Sequence, residues 1–251
     1  MDDSSQRQSR HYDEIAEGYE AHYSDEWSLR YRVEFQLEPL LRGVDVRGAR
    51  VLDAMCGSGQ VAGFLASRGA HVTGLDVSAA VIAQFRAKHP SLDAVQASIF
   101  ESGFPDEHFD HVFVDGGLHH VHPHVEAAVA EIHRILKPGG FFCFSEPHAH
   151  ALPDLARRLW YRLDPLFESN EHAIDVPALL AANREWFEPV SIRYCGGLAY
   201  LLVFNSMVFR IPARLKRVYS PALLRLEHPL GRLQGPRTSC FVLAQWRKRR
   251  G

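Results

Sequence analysis

The stretch Val51-Leu52-Asp53-Ala54-Met55-Cys56-Gly57-Ser58-Gly59 decides the fold of this 251-residue chain. Its apolar start predicts a short buried strand, and its glycines predict a loop that opens a helix. Gly57 and Gly59 remove side chains where a ligand would approach the backbone closely, and the following helix would aim unpaired N–H groups at that ligand. Asp53 falls at the carboxyl end of the strand, where open α/β sheets bind ligands.

Strands and helices alternate after this stretch with short connections. The pattern predicts strands at 49–53, 70–75, 92–97, 109–114 and 141–145, with helices at 60–68, at 78–88 and from Pro123 to about Leu136. Farther on it predicts a helix over 152–164, a helix capped by Asp175 that runs to about Phe187, and strands at 189–195 and 239–246. Near-continuous apolar strands joined by helices are typical of a parallel sheet that helices cover on both faces, so the fold class is α/β.

Composition narrows the class of protein. The chain is 46% hydrophobic with a net charge of −2, which gives no general attraction to nucleic acid. It contains no apolar run long enough to span a membrane. Its four cysteines lie far apart without a CxxC pair, which favours reduced thiols in a cytoplasmic protein.

Two regions outside the alternating core are candidates for covering a site. Tyr12, Tyr19 and Tyr23 recur at helical spacing near the start, which predicts either a packed amphipathic helix or a lid over a ligand, and a second helical segment follows from Tyr31 to Leu41. The insertion 196–236 joins apolar and basic residues. This combination predicts a lid over an apolar substrate, a helix at a lipid surface, or a helical cap that only covers the sheet.

Two carboxylates narrow the ligand of the glycine loop. Asp76 ends the second strand, where a carboxylate binds ribose hydroxyls in nucleotide sites. Residues 57–62 also fit the G-x-G-x-x-A pattern of dinucleotide sites, so a nicotinamide oxidoreductase is a rival. Asp53 would face the pyrophosphate of a dinucleotide at short range, which is unfavourable in a partly dry site. The charge therefore favours a cationic adenosyl ligand that carries an ammonium group and a sulfonium.

An ordered series of motifs resembles the class I S-adenosylmethionine-dependent methyltransferases, in the small-molecule branch that includes quinone methyltransferase-like proteins. The residues that carry this resemblance are Val51 to Gly59, Gly74-Leu75-Asp76-Val77-Ser78, Phe104-Pro105-Asp106 with Phe109-Asp110, Leu118-His119-His120-Val121, Leu136-Lys137-Pro138-Gly139-Gly140, and His11-Tyr12-Asp13 to Tyr19. The resemblance covers about three-fifths of the chain, and its specificity comes from the order of the motifs.

The resemblance implies a Rossmann-like sheet of seven strands, mostly parallel, whose last strand runs antiparallel. It implies S-adenosylmethionine as the cofactor, with Asp53, Gly57 and Gly59 around the methionine part, Asp76 on the ribose, Asp115 beside the reactive end and Tyr19 over the top. The full set of implied cofactor residues is Tyr19, Asp53, Ala54, Met55, Gly57, Gly59, Asp76, Val77, Ser98, Ile99 and Asp115.

Two residues depart from the motifs of that family. Met55 stands where a glycine is usual, and its presence leads us to expect a negative φ with the side chain in the core. Ser98 stands where an acid often contacts the adenine amino group, and its hydroxyl still offers a hydrogen bond.

Six histidines cluster near the ends of the fourth and fifth strands, namely His119, His120, His122, His124, His148 and His150. His119 or His120 is the candidate general base that takes a proton from an acceptor hydroxyl. Glu146 and His148 are the second choice for this base. A metal site formed by these histidines with Asp115 and Glu146 is an alternative, and purely structural histidines are another, because methyl transfer can proceed on positioning alone. The residues Asp115-Gly116-Gly117-Leu118 do not match the motif that accompanies methylation of nucleic-acid bases.

The sequence thus predicts a methyltransferase acting on a small, partly hydrophobic acceptor, with oxygen favoured over nitrogen or carbon as the methylated atom. A natural product, quinone, sugar or lipid-like acceptor fits. The rivals are the nicotinamide oxidoreductase, a lipid-surface enzyme and a non-catalytic cofactor-binding protein. We expect a single domain over 1–251, with a helical lid at 1–43, a cofactor-binding core at 49–146 and substrate-cap insertions at 147–172 and 196–236.

Overall fold

The computed structural model describes residues 23, 25–161, 172–206, 209 and 211–250. In this part of the chain one sheet has seven strands in the order β3-β2-β1-β4-β5-β7-β6. The strands are β1 (Arg50–Ala54), β2 (His71–Asp76), β3 (Asp93–Gln96), β4 (Phe109–Asp115), β5 (Leu136–Pro147), β6 (Phe187–Cys195) and β7 (Phe241–Lys248). Strand β7 runs antiparallel to both β5 and β6, and β1 to β5 pair in parallel. The predicted sheet, with its antiparallel last strand, is confirmed.

The helices of the described chain follow the predicted alternation. They are α1 (Glu26–Tyr31), a π-helical turn (Arg32–Leu37), α2 (Glu38–Leu41), α3 (Gln60–Ser67), α4 (Ala79–Lys88), a short 3₁₀ turn (Leu118–Val121), α5 (Val125–Ile135), α6 (Leu152–Tyr161), α7 (Val176–Ala182), a second π-helical turn (Tyr200–Phe204) and α8 (Ala213–Gly231). No helix in these described ranges combines the length and apolarity that crossing a membrane requires.

Local capping explains where several of these helices begin. The Ser78 side chain accepts a hydrogen bond from the N–H of Val81, and that of Asp175 accepts one from Ala178, as expected for residues that satisfy the first free amides of a helix. The helix after Asp175 was predicted to reach about Phe187, but α7 ends at Ala182. Phe187 instead begins β6 and is fully buried against the sheet.

Alternation along the strands divides the core between the two faces of the sheet. Val51 and Phe113 pack in one cluster, with apolar residues from α2, α3 and α4. Leu52, Val112 and Val114 point the other way into a second cluster, with the apolar stripe of α5. Because successive side chains on a strand point to opposite faces, both faces are covered, and the open edge at the carboxyl ends of β1, β2 and β4 is left for a site.

Candidate functional site

The glycine loop leaves β1 through three residues in the left-handed region. Met55 has φ of 59°, Gly57 of 53° and Gly59 of 87°. A Cβ at Gly57 would meet nothing within 4 Å, whereas one at Gly59 would lie 2.6 Å from the ring of Phe85. Glycine at 57 thus permits a backbone turn, and glycine at 59 permits both a turn and close packing of the loop on α4.

The expectation of a negative φ at Met55 is wrong. The positive φ of a methionine is unfavourable by about 1–2 kcal/mol, which explains why a glycine is usual in this motif. The methionine side chain packs on the chain after β4, since a Cβ at Gly117 would lie 2.7 Å from Met55 Sδ. This contact joins the loop after β1 to the loop after β4.

Asp53 lies in β1, and its side chain reaches the first turn of α3. Its side chain is almost fully buried, and Oδ2 accepts a hydrogen bond of 2.9 Å from the N–H of Ala62. Burial raises the pKa of Asp53 well above its usual range, and the nearby Asp115 carboxylate raises it further. A protein carboxylate therefore already occupies the place where a helix N-terminus would hold a phosphate.

Asp76 holds the glycine loop and lines the crevice at once. Its Oδ2 accepts a hydrogen bond of 3.1 Å from the N–H of Gly57, and its Oδ1 accepts one of 3.0 Å from Ser78. Burial raises the pKa of this carboxyl, and the amides of Ser78 and Gly57 oppose the rise. The amide of Gly59 is also used within the loop, because it donates to the carbonyl of Cys56.

One cavity brings together most of the predicted cofactor residues. Those that line it are Asp53, Met55, Gly57, Asp76, Val77, Ser98, Ile99 and Asp115, together with His120. Ala54 and Gly59 do not line it: Ala54 is fully buried in β1, and Gly59 caps α3. Tyr19 lies outside the described residues.

Several residues of the cavity were not predicted as site residues, and Arg32 is the most consequential. It stands at the start of the first π-helical turn, and its guanidinium lies 3.4 Å from Asp115 Oδ2 and 5.2 Å from the ring centroid of Phe204. Its buried Nε has no hydrogen-bond partner in the described structure. The helical spacing of residues 31–41 predicted the helix, but no local signal could indicate that its first turn brings Arg32 to Asp115 at the end of β4.

The charges of the cavity fit a cationic ligand. Among the described residues that line it, Asp53, Asp76 and Asp115 supply carboxylates, and Arg32 is the one permanently charged cation. Burial raises the pKa of Asp115, while Arg32 opposes that rise. A further cation would relieve the repulsion among these carboxylates, whereas a pyrophosphate would add to it. This donor set fits an ammonium and sulfonium ligand and counts against a dinucleotide.

A buried carboxylate organises the histidine pair of the 3₁₀ turn. Glu146, at the end of β5, accepts hydrogen bonds from the N–H groups of Gly117 and Leu118 at 2.9 and 2.7 Å. Its other oxygen lies 2.8 Å from Nδ1 of His119. The His119 and His120 rings lie 3.8 Å apart. Burial raises the pKa of Glu146 from its ordinary 4.5 to about 7, against these amide hydrogen bonds.

The two histidines differ in what they face. His120 lines the cavity with the three aspartates, whereas His119 lies beside Gly116, with its Cε1 3.8 Å from where a Cβ of that glycine would be. A carboxylate that accepts from Nδ1–H fixes the tautomer that carries its lone pair on Nε2. His119 is therefore the oriented member of the pair.

Three other histidines of the cluster contact residues outside the His119–His120 pair. The ring centroids of His122 and His172 lie 5.6 Å apart. His150 pairs with Asp175 at 3.0 Å, and His148 is buried beside Tyr194, with ring centroids 4.9 Å apart. Within the described ranges, no group of three or more histidines, cysteines or acids is arranged to hold a metal ion.

Comparison with known proteins agrees with this geometry. Residues 52–144 match the family model described as a methyltransferase domain. The chain is 36% identical over 118 residues to a malonyl-[acyl-carrier protein] O-methyltransferase of Enterobacter lignolyticus, covering 47% of this chain and 46% of that protein. It is 35% identical over 120 residues to a fatty-acid O-methyltransferase of Mycolicibacterium smegmatis, covering 46% of this chain and 43% of that protein.

Solved structures share the fold over most of the chain. The crystal structure of the [4+2]-cyclase SpnF superposes with a TM-score of 0.70 at 19% identity, over 98% of this chain and 97% of that one. The sequence matches, in contrast, span less than half the length of the two curated relatives.

Proposed function

Residues 52–144 match the family model of a methyltransferase domain. From this premise we propose that the chain is an S-adenosylmethionine-dependent methyltransferase that methylates an oxygen atom of a small, partly hydrophobic acceptor. The observation that carries the proposal is the carboxylate-rich cavity beside an oriented histidine. The first feature suits a cationic methyl donor, and the second suits removal of a proton from a hydroxyl.

The cofactor of this domain class is S-adenosylmethionine, which supplies an electrophilic methyl group on a sulfonium. Asp53 and Asp115 would balance its positive charges, and Asp76 would accept hydrogen bonds from ribose hydroxyls. Val77, Ser98 and Ile99, which also line the cavity, would border the adenine. Arg32 would pair with the carboxylate of the methionine part, since its buried Nε is a donor without an acceptor.

His119 would be the general base for the acceptor hydroxyl. The Glu146 carboxylate on Nδ1 would fix the tautomer whose lone pair is on Nε2, and it would stabilise the imidazolium that forms once the proton is taken. His120 would form the wall between the base and the cofactor residues. Glu146 is then a positioning residue, and its loss should lower kcat more than it lowers cofactor affinity.

The acceptor class rests on the relatives and on the surroundings of the cavity. The two relatives carry names that state O-methylation of a malonyl or a fatty-acid group. These names support oxygen as the methylated atom and an amphiphilic acceptor, whereas the hydroxyl follows from the oriented histidine alone, because a carboxylate carries no proton for a base to remove. On the side of the lid and the cap, Tyr23 borders the cavity, and Phe204 lies against Tyr23 at 5.0 Å between ring centroids. These aromatic surroundings suit an amphiphilic hydroxyl compound better than a strongly polar sugar.

The domain division stays part of the proposal. We take 49–146 as the cofactor core, 1–43 as the helical lid, and 147–172 with 196–236 as the substrate cap, within a single domain over 1–251. Support for the lid comes from Tyr23 and Arg32, which line the cavity, and support for the cap comes from Phe204. Residues 1–22 and 162–171 lie outside the described residues.

The test measures cofactor binding and turnover separately. Calorimetry with S-adenosylhomocysteine should show binding, and NAD(H) should show none. Transfer of labelled methyl from S-adenosylmethionine is then followed with long-chain alcohols and phenolic lipids as acceptors. For an accepted compound, the rate should rise with pH through the pKa of the base, and His119→Ala should remove that dependence and lower kcat by about 10²–10⁴.

A matched variant separates the role of the base from general damage. His71 lies exposed at the start of β2, at the far end of that strand from the site, and His71→Ala should leave both the rate and its pH dependence unchanged. If neither His119→Ala nor His120→Ala alters the pH dependence, the general base is refuted. Binding of NAD(H) in place of S-adenosylhomocysteine would refute the cofactor assignment.

A further inference from the structure

Helix α8 turns an apolar stripe outward, away from the core. Val218 is 76% exposed and Leu226 51% exposed, and Leu233, just beyond the helix, is 81% exposed. With Ala222 between them, Val218 and Leu226 follow at intervals of four residues, so they share one face of a helix with 3.6 residues per turn. Adjacent exposed apolar side chains of this kind mark an interaction surface more often than single ones do.

Arginines line the same exposed side without any acid among them. Residues 213–237 contain six basic residues and one acid, a net charge of +5. The whole chain carries −2, so the remaining residues carry −7. Within the segment, Lys216 and Glu227 are buried, and the outward charges are those of Arg214, Arg217, Arg225, Arg232 and Arg237. Positive charge is therefore concentrated on this one face of an otherwise acidic chain.

The start of helix α6 extends the surface. Leu152 and Leu155 are 66% and 63% exposed, and the N–H of Leu152 donates to the carbonyl of Arg237. Two elements thus present leucines beside arginines in one region. Nineteen helical residues in α8 span roughly 28 Å at 1.5 Å each, which is long for a pocket and suits an extended contact.

The inner face of α8 packs against α1, the helix that directly precedes Arg32. Lys216 is fully buried, and its ammonium lies 2.6 Å from Asp25 Oδ2. Glu227 accepts hydrogen bonds from the hydroxyl of Tyr31 at 3.2 Å and from the N–H of Gly197 at 2.6 Å. Tyr31 immediately precedes Arg32, which lines the cavity. Helix α8 is therefore bonded to the residue next to one that lines the candidate site.

We infer that the outer face of α8, with Leu152 and Leu155 of α6, docks on an anionic lipid bilayer. Leucines and valine beside arginines, with no exposed acid in the segment, are the chemistry of helices that lie in a membrane interface. Each basic residue near an anionic surface adds attraction that salt screens. Docking does not depend on methyl transfer, because the contact is made by residues outside the cavity.

Co-sedimentation of the full chain with vesicles tests the inference without cofactor or acceptor. Phosphatidylcholine vesicles containing phosphatidylglycerol should bind the protein, pure phosphatidylcholine vesicles should bind it far more weakly, and added salt should release it. The variant R217E/R225E should bind the anionic vesicles at least about tenfold more weakly. L226Q/L233Q should also weaken binding, but with little change in its salt dependence.

The control reverses the same number of charges elsewhere. Arg42 and Arg47 are exposed before β1, and R42E/R47E should bind vesicles as the parent chain does. All variants should keep their affinity for S-adenosylhomocysteine, which reports an intact core. Equal loss in both double variants would show a nonspecific charge effect and overturn the inference. Absence of vesicle binding by the parent chain would also overturn it.

Discussion

Glu146→Gln is expected to change how the stability of this protein depends on pH. The carboxyl is buried at the end of β5, where its oxygens accept hydrogen bonds from the N–H groups of Gly117 and Leu118. Glutamine has the same shape and keeps an oxygen for these amides, and its NH₂ group would donate to Nδ1 of His119. The substitution therefore removes the titration while leaving the packing in place.

The magnitude follows from the pKa of Glu146, which burial raises from 4.5 to about 7. A shift of that size corresponds to about 3 kcal/mol. Because the folded state holds the proton more tightly than the unfolded state does, the stabilisation is fully present below pH 4.5. It is lost as the pH rises to about 7. Between pH 5.5 and 8.5 the free energy of unfolding of the parent chain should fall by about 2 kcal/mol relative to the glutamine variant.

Urea unfolding of both chains across that pH range measures the difference. Glu126 lies exposed on α5, and Glu126→Gln is the matched control, for which the difference from the parent chain should stay constant with pH. A constant difference for Glu146→Gln as well would refute the reasoning. It would mean that Glu146 is ionised in the folded protein throughout this range.

Two further predictions concern the glycine loop and its carboxylate. Gly57→Ala should lower the free energy of unfolding by about 1 kcal/mol from backbone strain alone. Gly59→Ala should lower it clearly more, because its Cβ would also meet the Phe85 ring at 2.6 Å. Urea titrations measure both values, and equal losses of stability would contradict the packing argument. Asp53→Asn keeps an oxygen for the N–H of Ala62, so at neutral pH the variant should unfold at a higher temperature and bind S-adenosylhomocysteine more weakly in calorimetry. An unchanged affinity would contradict the charge balance of the cavity.

The alternation of strands and helices could be predicted from the sequence because the interactions that set it are local. Buried parallel strands are apolar along their whole length, and Ser78 and Asp175 cap helices within three residues of themselves. The glycine loop and the carboxylates at the ends of β1 and β2 were found in the same way. The parallel pairing of these two strands brings Asp53 and Asp76 to one edge of the sheet.

The conformation of Met55 could not be predicted in that way. A methionine normally disfavours positive φ, so local preference pointed to the wrong sign. Contacts with the chain after β4 hold the residue in the left-handed region, where its side chain packs against Gly117. Tertiary packing overrides the local preference here, as it also does where Phe187 leaves a predicted helix and begins β6.

The sequence by itself determined the order of elements, the loop and the excess of carboxylates near it, since each depends on residues close together in the chain. Only the tertiary structure decided that Arg32 faces Asp115, that Glu146 orients His119, and that the arginines of α8 share its outward side. The first two contacts join residues that are about 80 and 27 residues apart in the chain. The third depends on which side of α8 the core covers. Distances across the fold and burial arise from the packing of the whole chain, and no local pattern encodes them.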